Sequence, residues 1–165
     1  MKSPSDSFVW PGHVIRRLQQ MAVLAFHRNT AEFRLTPTQF VTLLAIEHTP
    51  GVDQVRLSQT TRIDRSMTAR IVDTLARRGL IRKQAGKTDR RANALFIARR
   101  GERLLADVLP RVKKSQQEIL NPLTAAERAE FIRMARAILA ANEEAEPPPA
   151  GGKPARAAAR RVRKS

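Results

Sequence analysis

Apolar residues recur at helical spacing along most of this chain, interrupted by one stretch of short, strand-like runs. After Pro11, which suits a first helical turn, Val14, Ile15, Leu18, Met21, Val23, Leu24 and Phe26 predict a helix running towards Phe33. So broad a stripe has to be covered by another helix, in the chain's own core or in a dimer interface. In Thr36-Pro37-Thr38-Gln39, Thr36 caps a second helix, Pro37 takes its first position and Gln39 completes a capping box. Phe40, Leu43, Leu44 and Ile46 supply the buried face behind it, and Pro50-Gly51 turns the chain. A short helix is predicted from Val55 to Ile63, with Leu57, Ser58 and Thr61 inward. Asp64 then caps a helix that runs to Arg78 and stops at Gly79.

Along helix 64–78, Met67, Ile71, Val72 and Leu75 form the expected apolar side. Arg65, Ser66, Ala69, Arg70 and Asp73 take the other side, with Thr68 beside them. Two short helices, the second small and polar on its outer face, are what a helix-turn-helix needs. Leu80-Ile81-Arg82 then begins a strand, a polar bend covers Gln84 to Arg91, and Ala92, Ala94, Leu95, Phe96 and Ile97 return as a second strand. From Arg99 a long helix carries Leu104, Leu105, Val108, Leu109 and Val112 towards Ile119 and Leu120, with a kink or break expected at Pro110. Thr124 and Glu127 form another capping box, opening a closing helix with Phe131, Ile132, Met134, Ala135, Ile138 and Leu139.

The predicted fold is therefore mainly α with a small β-hairpin wing: a winged helix-turn-helix with N- and C-terminal dimerisation helices. The terminal helices are expected to pack together and against a second copy. In domain terms, residues 1–10 are a flexible lead and 11–144 a winged-helix and dimerisation domain, whose DNA-binding lobe spans about 36–98. Residues 145–165 are a disordered basic tail, too poor in apolar area to fold alone.

Charge narrows the choice of partner. The 165 residues carry 31 Lys and Arg against 15 Asp and Glu, a formal net charge of +16. An excess of that size favours a polyanion, and double-stranded DNA is the first candidate. With no cysteine, disulfides, thiol catalysis and thiolate metal sites are excluded. His13, His27 and His48 make no short-spaced ligand cluster, so neither a metal nor a cofactor is expected. No phosphate-binding glycine loop or serine-centred elbow suggests an enzyme. No run approaches 18 apolar residues and the N-terminus lacks a secretory pattern, so a cytoplasmic, nucleoid-associated protein is expected, without membrane contact.

The candidate site follows from groove geometry. A helix fits the major groove, where side chains reach base edges, and Arg65, Ser66, Thr68, Ala69 and Arg70 are the candidates on helix 64–78. The wing tip gathers Lys87, Asp89, Arg90 and Arg91, suited to the strong negative potential of a minor groove, with Asp89 orienting a guanidinium. Arg77, Arg78, Arg82 and Lys83 are candidate phosphate contacts, and the tail is a basic arm on phosphates.

Leu35-Thr36-Pro37-Thr38-Gln39-Phe40, Ile63-Asp64-Arg65-Ser66-Met67-Thr68, Leu75 to Ile81, Asp89-Arg90-Arg91 and Ala98-Arg99-Arg100-Gly101, in that order and spacing, resemble the MarR family of regulators over residues 13–140. The resemblance implies a homodimer whose two lobes bind a palindromic operator, with helix 64–78 in the major groove and Arg91 in the minor groove. It also implies a pocket between the dimerisation and DNA-binding regions, often taking aromatic acids or phenols. Trp10, His13, Arg16, Arg17, His27, Phe40 and Leu44 are its candidate contributors. The chain departs from the family in the polar Thr60-Thr61-Arg62 and the basic tail, and lacking cysteine it has no thiol-based switch. A sequence-specific repressor released by a small aromatic or acidic ligand is the expected function. An architectural DNA-binding protein without an effector is the alternative.

Overall fold

Capping chemistry places the helix starts, and the computed structural model, which describes residues 10–85 and 93–145, follows it closely. Helix α1 spans Pro11–Thr30 with proline in its first turn, and a single 3-10 turn at Ala31–Phe33 leads out of it. Helix α2, Pro37–His48, opens on the full Thr36/Gln39 capping box. The Thr36 hydroxyl accepts from the Gln39 backbone N–H, and the Gln39 side chain accepts from the Thr36 N–H, each at 3.1 Å. Helix α3 covers Gln54–Thr61 under an Asp53 cap, and α4 covers Arg65–Arg77 under Asp64. Strands β1 (Ile81–Ala85) and β2 (Asn93–Ile97) form an antiparallel pair. Helices α5 (Arg99–Leu120) and α6 (Ala125–Ala145) complete the described chain.

The hairpin is longer than its sequence suggested. Gln84 pairs with Ala94 and Ala85 with Asn93, because the ladder satisfies backbone groups whatever the polarity of the side chains. Val52 adds a bridge to Leu95, with the Gly51 N–H donating to the Leu95 carbonyl and the Leu95 N–H to the Val52 carbonyl. The root of the wing is thereby fastened to the loop between α2 and α3.

The core runs from Phe26 and Phe40 through Leu43, Ile46, Leu57, Val72, Leu75, Leu80 and Leu95 to Leu105 and Val108. Burying a leucine of this kind stabilises by about 1.5–3 kcal/mol. Thr30, Thr42 and Ser115 are buried too, and each hydroxyl donates to a carbonyl one turn back in its own helix.

Two expectations change. Helix α5 continues unbroken through Pro110. Proline deprives the Ala106 carbonyl of its donor, but Ala106 and Pro110 lie on the exposed face, where water can serve. The N- and C-terminal helices pack together only in part within one chain: α1 lies along α5, while among the described residues no element packs extensively on α6. The reason is that α5 already offers α1 a matching apolar face, leaving α6 beyond the turn at 121–124 with its side chains largely outward. The last turn of α4 closes on Gly79 as expected, at φ +67°, in a two-bond arrangement from Gly79 to Ala76 and from Leu80 to Leu75.

Gly101 fixes how α5 joins the lobe. A Cβ there would stand 2.2 Å from the Leu80 carbonyl oxygen and 2.9 Å from Ile97 Cγ1. The first turn of α5 is seated directly on the turn that ends α4, and the Ala98 N–H donates to the same Leu80 carbonyl. No helix among the described residues is long and apolar enough to cross a membrane.

Candidate nucleic-acid interface

Helix α4 owes its orientation to the turn before it. Arg62 takes a left-handed conformation at φ +55°, which reverses the chain between α3 and α4. Two buried hydroxyls converge on the next carbonyl: Ser58 donates to Ile63 O at 2.6 Å and Thr68 donates to it at 3.2 Å. One comes from each helix, so the pair holds the helix-turn-helix angle from inside. Asp64 accepts from the Met67 N–H at 2.8 Å and from the Ser66 hydroxyl at 2.7 Å. Chiefly through the Met67 N–H, and then through Ser66, its carboxyl is held below the usual aspartate range.

Thr68 is therefore not a reading residue. It is 1% exposed, and the buried stripe of α4 is Thr68, Ile71, Val72 and Leu75, an i, i+3, i+4, i+7 series. Met67, expected inside, is 40% exposed instead. Thr68 takes the inward place expected of Met67, while Ile71, Val72 and Leu75 lie inside as expected, because a threonine whose hydroxyl has a carbonyl partner can be buried at little cost. The outward face then carries Arg65, Ser66, Met67, Ala69, Arg70 and Asp73. Ser66 is engaged by Asp64, while neither Arg65 nor Arg70 has an ion-pair partner within 4 Å among the described residues.

The four candidate phosphate contacts separate into two kinds. Arg77 and Arg82 are exposed, the former touching only Thr74 Oγ1 at 3.3 Å among its described hydrogen bonds. Lys83 is paired with Asp73, which fastens β1 to the outer side of α4 and lowers the Asp73 carboxyl from its ordinary value. Arg78 turns inward, donating to the Arg34 carbonyl at 2.7 Å and the Phe33 carbonyl at 3.0 Å. It ties the end of α4 to the link between α1 and α2, so its first role is structural. Partial burial, and then the charges of Arg100 and Arg34, lower its proton affinity. The wing-tip candidates Lys87, Asp89, Arg90 and Arg91 lie outside the described residues, as does the tail beyond 145.

Among the described residues, neither of the two clefts along α1 gathers the seven candidate pocket residues. Phe40 is a core residue whose ring sits 5.9 Å from that of Phe26, and Leu44 packs against the same core. Trp10, Arg16 and His27 are exposed, and His13 is half-buried. A cleft of about 340 Å³ opens between α1 and α5, lined by Met21, Leu24, Ala25, Arg28, Glu118 and Ile119. Asn29 donates to Glu118 at 2.9 Å and Arg28 stands 3.7 Å from it, so polar groups edge that apolar hollow. A shallow hollow on α1 takes Arg17, the one member of the seven to line either of these two clefts. A pocket depends on which helices meet, and the packing of α1 on α5 is invisible to local spacing.

Residues 35–92 match the profile of the MarR family. A putative transcriptional regulatory protein for the hcr operon of Thauera aromatica is 30% identical over 134 residues, which cover 81% of this chain and 81% of that protein. The PcaV transcriptional regulator from Streptomyces coelicolor, solved in complex with its natural ligand, superposes with a TM-score of 0.78 at 33% identity. The match covers 86% of this chain and 99% of PcaV. The transcriptional repressor CouR bound to a 23-mer DNA duplex gives 0.77 at 26% identity, over 84% of this chain and 98% of that one.

Proposed function

The chain belongs to the MarR family of winged helix-turn-helix regulators, and from that premise we propose a homodimeric repressor that reads a palindromic operator through α4 and leaves it when a small aromatic or acidic ligand binds. That it is a DNA-binding transcriptional regulator, and not an enzyme, follows from the family itself. The observation that carries the finer reading is the division of α4. Thr68, Ile71, Val72 and Leu75 anchor it, so Arg65, Met67, Ala69 and Arg70 are held outward on a rigid rod. Such a rod presents guanidinium donors to guanine edges at a fixed angle, and the small Ala69 lets the backbone come close. Arg90 and Arg91 of the wing tip take the adjacent minor groove, and the cations of the tail add phosphate contacts that carry no sequence preference.

Dimerisation is supported by what the single chain leaves uncovered. Val14, Ile15, Met21 and Leu24 of α1 and Ile132, Met134, Ile138 and Leu139 of α6 are all exposed. A second copy related by a two-fold axis would cover them and set the spacing of the two reading helices. Ligand control is supported by PcaV, solved with its natural ligand, and repression by CouR, named a repressor and bound to a duplex.

Genome-wide footprinting followed by titration of the recovered site tests this reading. Protection confined to one or a few palindromes, relieved by an aromatic acid, supports it. Uniform coating of DNA, indifferent to such ligands, would make the protein architectural instead. Coupling must also be reciprocal, so the relieving acid binds the free protein more tightly than the operator complex, by the same factor.

A further inference from the structure

Two adjacent positions on α4 reverse the usual economy of burial. Thr68 is 1% exposed and keeps its hydroxyl on the Ile63 carbonyl, whereas Met67 beside it is 40% exposed. Ile71, Val72 and Leu75 are buried, so the core side of the helix is filled without the methionine. An unbranched apolar side chain standing in water adds nothing to the free protein; it gains only when a partner dries it. The surrounding face indicates the partner. Arg65 and Arg70 have no ion-pair partner within 4 Å among the described residues, which suits the face to a polyanion. Ser66 donates to Asp64 and Asp73 holds Lys83, so the hydroxyl and the carboxylate on this side are engaged within the protein. Ala69 offers a methyl group but no reach, and Met67 offers both apolar character and length. In the major groove the base edges present hydrogen-bond donors and acceptors, and one apolar group, the 5-methyl of thymine.

We infer that Met67 is a specificity-determining residue that reads thymine through its 5-methyl group. Met67 and Arg70 stand three residues apart on one helix, which separates their Cβ atoms by about 5–6 Å. Stacked base pairs rise by about 3.4 Å, so the thymine lies one or two base pairs from the pair that Arg70 meets. The inference rests on the proposed reading of bases by α4 and adds a base identity and a spacing to it.

A thymine-to-uracil scan of the footprinted operator tests it, with the full-length protein at fixed salt. Deoxyuridine keeps every hydrogen-bonding atom of thymidine and lacks only the methyl group. The wild type should lose about fourfold in affinity at one thymine of each half-site, the worth of one methyl group dried on binding. That thymine should lie within two base pairs of the pair at which the loss caused by Arg70→Ala vanishes. Met67→Ala should bind the thymine and uracil duplexes equally, about as weakly as the wild type binds uracil. Met67→Gln, of similar length but polar, should also fail to distinguish them. Thermal melting should show both variants folded, since the side chain they alter points outward. A scan in which no uracil matters, or a loss that persists in both Met67 variants, overturns the assignment. A Met67→Ala loss that is equal on every duplex, random sequence included, also overturns it, making Met67 a sequence-blind contact. Arg70→Ala judges the reading of α4 separately. If its loss stays specific to one base pair while the uracil scan is flat, Met67 alone falls; if its loss too is equal on every duplex, both fall.

Discussion

Helices α4 and α6 both carry apolar residues at helical spacing, yet one chain completes only the first. Thr68, Ile71, Val72 and Leu75 of α4 are all buried, and the helix is capped at Asp64 and closed at Gly79. On α6 the capping box is as good, with the Thr124 N–H donating to Glu127 at 2.7 Å, but Ile138 is 57% and Leu139 61% exposed. Local chemistry starts a helix; burial decides whether it has a fixed place. The lobe around α4 is thus a finished unit, whereas the apolar residues of α6 are left uncovered by the described part of one chain.

That contrast can be broken most forcefully in the core. Leu75→Ala should cost about 2–5 kcal/mol and lower the urea midpoint of the whole lobe, since its side chain is fully buried. A midpoint unchanged from wild type would mean that α4 is not anchored as described. Gly101→Ala comes next. Its methyl would collide with a backbone carbonyl, which cannot swing away as a side chain can, so a loss of about 1–3 kcal/mol is expected. Operator affinity should fall with it, because α5 would be lifted off the end of α4. Binding isotherms and chemical melts on the same preparation measure both.

On the other side of the comparison, Leu139→Asp should leave the fold of the lobe intact and shift sedimentation towards monomer at micromolar concentration. If the wild type itself sediments as a folded monomer there, the uncovered face of α6 has another purpose. The smallest effect concerns Asp64. Its carboxyl titrates lower in the folded chain than in the unfolded one, so its contribution is complete at neutral pH and is lost as pH falls through the folded value. Asp64→Asn keeps a capping oxygen but cannot titrate, and should flatten that part of the acid limb in a pH series of melts.

How much of this was legible beforehand depended on whether the signal was local. The helix starts were readable because Thr36, Asp64 and Thr124 act within three residues of themselves. Thr68 was misplaced because polarity stood in for exposure, and its partner, the Ile63 carbonyl, is made available only by the turn at Arg62. Lys83 and Arg78 looked like free cations until Asp73 and two distant carbonyls came into view. The close seating of α5 on the turn after α4 joins distant parts of the chain, and Gly101 in the Ala98-Arg99-Arg100-Gly101 turn was the local hint that α5 must approach closely.

The central claim is that the outward face of α4 reads bases. Operator affinities at fixed salt for wild type and Arg70→Ala, on the native site and on duplexes altered one base pair at a time, test it most directly. The account predicts a loss of about 1–3 kcal/mol on the native operator that shrinks towards zero at one particular substituted pair, where the wild type has already lost the contact. A loss that is the same on every duplex, random sequence included, would show that Arg70 meets only phosphate and would contradict the assignment of α4 as the reading helix.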